Sequence, residues 1–252
     1  MKRIPCLVSG GVFHFRSAHS AYLVSKFQGM IKSSTFAFLS ELNKNNNKEW
    51  FDGNRQDYEA ARQDVAQFAD ALIAHLGRFD PALQHLTARD CMYRINRDIR
   101  FSADKTPYKT NFAVYMSRYG KKAMDAAGYY LHIEPGKCFM AGGLWMPPSP
   151  PLRKLRSAID FDWTALDEIL KDKNFFKTFG DFQRDAETML QRPPKGYNAD
   201  HPGIAYLKLK SFIMKRPVED AYLQGINAAV KLAKDFALLK PLVYYLNENI
   251  RD

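Results

Sequence analysis

The sequence predicts an α+β protein, in which a mainly antiparallel sheet of about four to five strands occupies the central third of the chain and packs against N-terminal and C-terminal helices. Two observations predict this class. Apolar residues recur every three to four positions before residue 77 and again after residue 152, which is typical of helices. Between residues 91 and 141 the pattern changes to short alternating runs separated by tight turns, which is typical of strands.

The N-terminal helices are predicted from large apolar residues that share one face. The longest helix has apolar residues at i+3 and i+4 spacing and ends at Gly77. These residues are Tyr58, Ala61, Val65, Phe68, Leu72 and Leu76. Before this helix, Asn46 and Glu49 have the spacing of a capping box. After it, Asp80 and Pro81 are expected to be the N-cap and the first residue of a short helix.

The strands are predicted from period-two alternation and from the turn residues between the runs. The first run, Tyr93–Phe101, places Tyr, Ile, Arg, Ile and Phe on one face and polar residues on the other. The segment Glu134–Lys137 contains Pro and Gly and predicts a hairpin turn. The other predicted strands are Asn111–Met116, Gly128–Ile133 and Cys138–Ala141, with Ser211–Lys215 as a candidate fifth strand.

Helices are predicted again after the Gly142-Gly143 pair and the prolines that follow it. Apolar stripes indicate helices near residues 152–159 and 163–170, and a Pro/Gly-rich loop over residues 192–203 separates them from the rest. The last predicted helices cover residues 204–210, about 219–236 and 240–249. No internal repeat interrupts this order, so we expect one α+β domain over residues 31–252.

The first thirty residues differ from the rest of the chain. They contain four basic residues and no acidic residue, so they carry +4 of the net charge of +10. Their apolar stretches are short and have no sustained period. We therefore expect residues 1–30 to be a disordered leader or an over-extended start.

The composition favours a cytoplasmic protein with an anionic ligand or partner. The 27 acidic residues dilute the 37 basic ones, so the net charge of +10 does not by itself indicate nucleic-acid binding. The three cysteines are widely spaced without a CxxC pair, which favours reduced thiols. No apolar stretch approaches the roughly 20 residues of a membrane helix. We expect the partner to be a small anionic ligand rather than nucleic acid, and we expect no association with a membrane. The sequence does not indicate an oligomeric state.

The segment Arg94–Lys109 concentrates charged and hydroxyl side chains, with five cations in sixteen residues. Its guanidinium groups could hold a phosphate or a carboxylate. The candidate ligand-binding residues are Arg94, Arg97, Arg100, Tyr108 and Lys109. Asp98 and Asp104 are candidate catalytic bases, with Lys105 as their electrostatic partner. The alternative is a structural network of salt bridges, and Arg97 in particular needs a carboxylate or several carbonyls if its strand face is buried.

A second basic cluster follows the Pro/Gly-rich loop. Its candidate ligand-binding residues are Lys195, Lys208 and Lys210, and Lys215 and Arg216 lie close to them in the sequence. If the loop folds over the sheet, this cluster completes an anion pocket with the first one. If the loop lies elsewhere, the lysines form a solvated face, which is their usual role.

Other motifs do not identify a reaction. Ser102–Lys105 matches SxxK, but Pro107 opposes the helix that this motif requires. His132 and Glu134 match the opening of the zinc-deaminase signature, but its PCxxC partner is missing from the sequence, so no metal site is predicted. The common nucleotide-binding, metalloprotease and hydrolase motifs are also missing from the sequence. No cofactor is identified.

Several stretches of the sequence resemble the family known as domain of unknown function 2461. They extend over roughly Thr35 to Asn247. They are FLSELNKNNNKEWFDGNRQDYE, YRINRDIRFSADKTPYKTNF, GYYLHIEPGKCFMAGGLWMPP, RPPKGYNADHP, LKLKSFI and PLVYYLN. The resemblance implies an intracellular, mostly bacterial type of protein, and it assigns no catalytic residue, cofactor or substrate.

The sequence leaves three functions open. The first is a basic pocket for a small anionic or phosphate-bearing ligand, lined by Arg94–Lys109, and it leaves undecided whether the protein is an enzyme. The second is nucleic-acid binding by aromatic residues among cations, which the interleaved carboxylates oppose. The third is a structural or interaction module whose Arg/Asp cluster is a salt-bridge network. A concave cluster with Arg97 and Asp98 pointing inward would favour the first function, and a convex basic stripe the second.

Overall fold

The computed structural model describes residues 29–123 and 125–251, so the predicted leader lies almost entirely outside the described residues, as does Cys6. Three groups of helices are described. Before the sheet are α1 (Ser33–Lys44), α2 (Lys48–Gly53), α3 (Arg55–Leu76), the 3-10 helix Pro81–Leu83 and α4 (Ala88–Cys91). In the middle of the chain are α5 (Ser149–Phe161), α6 (Trp163–Lys171), α7 (Lys173–Phe179) and α8 (Ile204–Leu207). At the end are α9 (Asp220–Leu223), α10 (Ala228–Ala237) and α11 (Lys240–Glu248). Among these helices, none has both the length and the apolar character needed to cross a membrane.

The strands of the described chain form one antiparallel sheet in the order β1-β2-β3-β4. They are β1 (Phe112–Met116), β2 (Gly128–Ile133), β3 (Phe139–Leu144) and β4 (Phe212–Pro217). The first three follow one another through short connections, and β4 joins the edge of the sheet after α5 to α8. The predicted α+β class, with an antiparallel sheet that packs against N-terminal and C-terminal helices, is confirmed.

The strand predicted over Tyr93–Phe101 is wrong. The segment is irregular and makes only isolated β-bridges to described residues, through Met92 just before it and through Asn96. Its alternating apolar residues do not share one buried face, because Ile95 is 3% exposed and Phe101 is 95% exposed. Backbone pairing reaches only Tyr93, Ile95 and Arg97, and no strand of the described chain runs beside the rest of the segment. Alternation without a partner strand does not produce a strand.

Two helix boundaries also differ from the predictions. The N-cap of α2 is Asn47, whose side chain accepts a backbone hydrogen bond at 2.9 Å. Asn46, predicted as the cap, instead bonds the backbone of Tyr108 through its amide group. The helix expected at about 219–236 is divided into α9 and α10, and Asn227 between them has a left-handed backbone with φ of 60°.

Helices cover one face of the sheet. Helix α3 contacts α1, α10 and β1, and helix α11 contacts β3. Side chains alternate between the two faces of a strand, and those on the covered face are buried. They include Phe112, Val114, Met116, Tyr129, Leu131, Ile133, Met140, Leu144, Phe212 and Met214. Cys91 and Cys138 are also buried, as free thiols. The side chains at the alternate positions of the strands therefore point to the opposite face.

Candidate functional site

The guanidinium group of Arg97 binds residues that follow it in the same loop. It pairs with the carboxylate of Asp104 and donates to the hydroxyl of Thr106 and, at 3.2 Å, to the carbonyl of Thr106. The hydroxyl of Ser102 lies 3.4 Å from the same group. These contacts satisfy a side chain that is only 25% exposed. Arg97 and Asp104 therefore close the loop over residues 97–106.

The other charges of this segment also bind within it. Asp98 accepts two hydrogen bonds from the guanidinium group of Arg100, at 2.9 and 2.7 Å. Lys105 donates to a backbone carbonyl of the loop at 3.1 Å, and Lys109 donates to the carbonyl of Arg94 at 3.0 Å. The side chain of Arg94 is exposed and makes no hydrogen bond or ion pair with the described residues. These contacts correspond to the structural alternative, in which the charged side chains bind carboxylates and carbonyls of their own segment.

Tyr108 packs inward. It is 7% exposed, and its ring stacks on Phe51 with centroids 3.9 Å apart and an interplanar angle of 14°. The backbone N–H and carbonyl of Tyr108 are both bonded to the side-chain amide of Asn46, at 3.1 and 2.9 Å. Tyr108 therefore anchors the end of the charged segment to the N-terminal helices.

The second basic cluster does not join the first. Lys195 is exposed, and Lys210 donates to the carbonyl of Ala186 at 3.1 Å. Lys208 is half-buried, and its carbonyl accepts a backbone hydrogen bond of 2.8 Å. Within residues 29–123 and 125–251, no hydrogen bond or ion pair connects these lysines to the segment Arg94–Lys109.

Acid is expected to loosen the loop that Arg97 closes. A backbone hydrogen bond from Thr106 and the guanidinium group of Arg97 lower the pKa of Asp104 from 3.8 to about 2. A carboxyl with a lowered pKa stabilises the folded loop above its unfolded pKa, and this stabilisation is lost as the pH falls through the folded value. Hydrogen exchange over residues 97–106, corrected for intrinsic rates, is therefore expected to accelerate between about pH 4 and pH 2.

The amides of β2 serve as the internal reference for this measurement. In Asp104→Asn the loop is expected to exchange fast at both pH values, because the carboxylate is lost. Equal protection of the loop at both pH values in the wild-type protein would contradict the prediction.

A cavity of about 510 Å³ lies on the face of the sheet opposite the buried core residues. Small residues of neighbouring strands form its floor, with Gly128 paired to Gly143 and Ala141 beside them on β3. A Cβ atom at residue 128 would lie 2.8 Å from the ring of Tyr115. Glycine at residue 128 therefore lets the ring of Tyr115 lie close to the backbone of β2 at the edge of the cavity.

Aromatic side chains form the walls of the cavity. They are Tyr93, Tyr115, Tyr130, Phe139 and Trp145. Two lysines also line it. The ammonium group of Lys121 donates to two backbone carbonyls at 2.7 and 2.8 Å. The ammonium group of Lys215 lies 4.0 Å from the centre of the Phe139 ring and has no carboxylate partner among the described residues. Lys215 is therefore the lysine of this cavity that is available to an anion.

The strand register places Tyr130 in the same row as Lys215, two strands away. Tyr115, Tyr130, Ala141 and Lys215 pair with one another in sequence across β1, β2, β3 and β4. Neighbouring strands are about 4.8 Å apart, so Tyr130 and Lys215 lie about 10 Å apart at their Cα atoms, with Ala141 between them in the register. The ring of Phe139 contacts both side chains, because its centroid lies 5.6 Å from that of Tyr130 and 4.0 Å from the ammonium group of Lys215. The space over Ala141 is therefore bounded by Tyr130, Phe139 and Lys215.

A chain of hydrogen bonds leads from the cavity wall along β2. The hydroxyl of Tyr130 lies 3.1 Å from Nδ1 of His132, and Nε2 of His132 lies 2.9 Å from Oε2 of Glu134. The side-chain amide of Asn111 lies 3.4 Å from Nδ1. If Nε2–H donates to Glu134, the single lone pair of Nδ1 accepts from the hydroxyl of Tyr130, and the amide of Asn111 makes only the longer contact to it. We assign this tautomer to His132.

The protonation states along this chain follow from its surroundings. Burial raises the pKa of Tyr130 to about 12, so its hydroxyl is protonated at neutral pH. Burial alone would raise the pKa of Glu134, but hydrogen bonds from His132 and Lys137 lower it below its ordinary value. The chain therefore begins at a neutral phenol and ends at an ionised carboxylate, with the ring of His132 between them.

The candidate residues predicted within Arg94–Lys109 and Lys195–Lys210 do not line this cavity. Two residues next to these segments do line it, Tyr93 directly before the first and Lys215 a few residues after the second. Sequence reasoning missed the aromatic walls because aromatic residues in strands are usually core residues. The signal that could have indicated the cavity is the group of small residues, Gly128, Ala141 and Gly143, in neighbouring predicted strands.

Comparison with known proteins identifies the family of the chain. A family model described as "Conserved hypothetical protein (DUF2461)" matches residues 34–245. No curated protein matches the chain, and no solved structure does. The matched region contains the charged segment, all four strands and the residues around the cavity. The chain therefore belongs to the DUF2461 family.

Proposed function

We propose that this protein binds a small ligand in which a planar apolar group is joined to an anionic group, and that the ligand lies in the cavity on the sheet. The observation that carries this proposal is the combination of aromatic walls with Lys215, a cation without a carboxylate partner in the described chain. The volume of about 510 Å³ is within the usual range of small-molecule sites.

Two parts of the cavity would bind two different parts of the ligand. Stacking and apolar contact with Tyr130, Phe139 and Trp145 would remove the planar group from water. The ammonium group of Lys215, already held over a ring, would offset the loss of solvent around the anion. Few polar groups in an apolar cavity fix the orientation of a ligand, and this arrangement has that composition.

The segment Arg94–Lys109 has a supporting role in this proposal. Four of its five cations, Arg97, Arg100, Lys105 and Lys109, bind carboxylates or carbonyls of the segment, so they offer an anion less than Lys215 does. The fifth, Arg94, is exposed but does not line the cavity. The hydroxyl of Tyr93 donates to the carbonyl of Lys121 at 3.2 Å, and the ammonium group of Lys109 lies 5.6 Å from the Tyr93 ring. The segment would therefore fix the aromatic rim of the cavity. The neutralised arginines also give less support to the nucleic-acid alternative, which needs cations free for phosphates.

The fluorescent probe 8-anilinonaphthalene-1-sulfonate joins aromatic rings to an anion and tests the proposal directly. We expect one site per chain. Ala141→Phe fills the floor and is expected to weaken binding by more than about tenfold. Lys215→Gln is expected to weaken binding about two- to fivefold, because a partly exposed charge pair contributes about 0.5–1 kcal/mol. The measurement is a fluorescence titration of each folded variant.

Two controls separate charge from apolar contact. The uncharged analogue N-phenyl-1-naphthylamine is expected to bind wild type and Lys215→Gln equally, because it has no sulfonate. Lys231→Gln, at an exposed lysine of α10, is expected to leave the affinity for the sulfonate probe unchanged. Binding of the sulfonate that neither Ala141→Phe nor Lys215→Gln alters would place the ligand elsewhere and refute the proposal.

A further inference from the structure

We propose that Tyr130, His132 and Glu134 form a proton relay that removes a proton from the ligand in the cavity, so that the protein is an enzyme whose reaction begins with proton abstraction. This inference rests on the proposed ligand cavity. The substrate class is a planar anionic molecule that presents an acidic O–H, N–H or activated C–H group to the hydroxyl of Tyr130.

The geometry is that of a hydroxyl, a base and a group that orients the base. The separations of 3.1 Å from Tyr130 to His132 and 2.9 Å from His132 to Glu134 are both hydrogen-bonding distances. The side chains of His132 and Glu134 are only 15% and 20% exposed, so water has little access to the inner part of the chain. Of the three side chains, Tyr130 lines the cavity. Tyr130 is therefore the catalytic residue, and His132 and Glu134 act through it.

Two proton transfers in the same direction complete the step. The bond between the substrate atom and its proton breaks, and this proton moves to the oxygen of Tyr130. The O–H bond of Tyr130 breaks at the same time, and its proton moves to Nδ1 of His132. Tyr130 ends as a neutral phenol, so no free tyrosinate is formed. The substrate ends as an anion, His132 ends as an imidazolium, and no other reactant is consumed.

The charges around His132 favour this transfer on balance. The carboxylate of Glu134 directly stabilises the imidazolium. Lys137 lies 3.3 Å from Glu134 and opposes the new charge from the exposed side. Phe139 stacks on His132 with centroids 4.6 Å apart and separates it from Lys215. Lys215 is thus placed to stabilise the anion formed on the substrate, while the ring reduces its contact with the imidazolium.

The probe 4-nitrophenol tests the relay, because its phenol ionises near neutral pH and the phenolate absorbs visible light. Equilibrium dialysis measures binding, and absorbance measures the ionised fraction of the bound probe as a function of pH. We expect bound probe to ionise about one pH unit below free probe in the wild-type protein. In Tyr130→Phe and His132→Gln this shift is expected to fall to a few tenths of a unit, with binding retained.

Further measurements distinguish failure of the relay from failure of the cavity proposal. Lys215→Gln is expected to reduce the shift only in part, because the relay remains. Nitrogen-15 NMR of the ligand-free protein, recorded at a pH at which the His132 ring is neutral, is expected to show the Nε2–H tautomer. Equal ionisation shifts in wild type, Tyr130→Phe and His132→Gln, or an Nδ1–H tautomer, would overturn the relay alone. If neither 4-nitrophenol nor the sulfonate probe binds, the cavity proposal is overturned and the relay with it.

Discussion

Replacing Gly143 by alanine is expected to destabilise the protein by about 2–6 kcal/mol, as measured by chemical denaturation. Gly143 has φ of 124°, a conformation that non-glycine residues adopt only with strain of about 1–3 kcal/mol. A Cβ atom there would also lie 1.9 Å from the carbonyl oxygen of Phe212 on the paired strand. Relieving this overlap requires a backbone shift, and such overpacking costs about 1–3 kcal/mol.

A second glycine provides the matched control for the effect of conformation alone. Gly136, in the turn between β2 and β3, has φ of 69°, and no described atom lies within 4 Å of the position that a Cβ atom would take there. Gly136→Ala is therefore expected to cost only about 1–2 kcal/mol. Equal losses of stability in the two variants would show that the close approach of β3 and β4 at Gly143 adds nothing to the cost of Gly143→Ala.

Asp80→Ala is expected to lower the free energy of unfolding by about 2–5 kcal/mol. Asp80 is 2% exposed and accepts hydrogen bonds from the hydroxyls of Tyr129 and Tyr244, both at 2.8 Å. Burial and then the Asp80 carboxylate raise the pKa of Tyr129, so its hydroxyl stays a donor. Alanine removes the acceptor of both phenols. The buried hydroxyl of Tyr129 left without a partner costs about 1–3 kcal/mol, and the half-buried Tyr244 and the amide of Ala82 add smaller losses.

Two variants test whether this loss comes from the missing acceptor. Asp80→Asn keeps one oxygen and is expected to lie between wild type and alanine in urea denaturation. Tyr244→Phe removes one of the two donors and is expected to cost about 1 kcal/mol. If Asp80→Asn were as unstable as Asp80→Ala, the carboxylate charge rather than its acceptor capacity would be responsible.

The candidate site shows where sequence reasoning succeeds and where it ends. A salt-bridge network within the Arg/Asp cluster was one of the alternatives that the sequence itself presented. The pairs Arg97–Asp104 and Arg100–Asp98 are contacts of this kind. The choice between ligand binding and internal pairing could not be made, because it depends on the path of an irregular loop. The alternation over Tyr93–Phe101 suggested a strand, and it is wrong because no strand of the described chain runs beside this segment along its length.

The sequence alone determined the broad order of helices, then antiparallel strands, then helices. The spacing of apolar residues predicts the long helix α3, and alternating residues with a Pro-Gly turn predict β2, β3 and the hairpin between them. These signals are local, because helix and strand periods act over a few residues and turns need particular backbone conformations. They are sufficient for the α+β class and for the antiparallel sheet.

The cavity was decided only by the tertiary structure. Tyr115, Tyr130, Ala141 and Lys215 meet in one row because the strands pair in one register, although up to a hundred residues of chain separate them. A shift of one residue in that register would exchange the buried and cavity faces of a strand. Register depends on the packing of helices against the opposite face, and that packing is a property of the whole fold. The side chains opposite Lys215 are therefore set by long-range contacts that no local pattern contains.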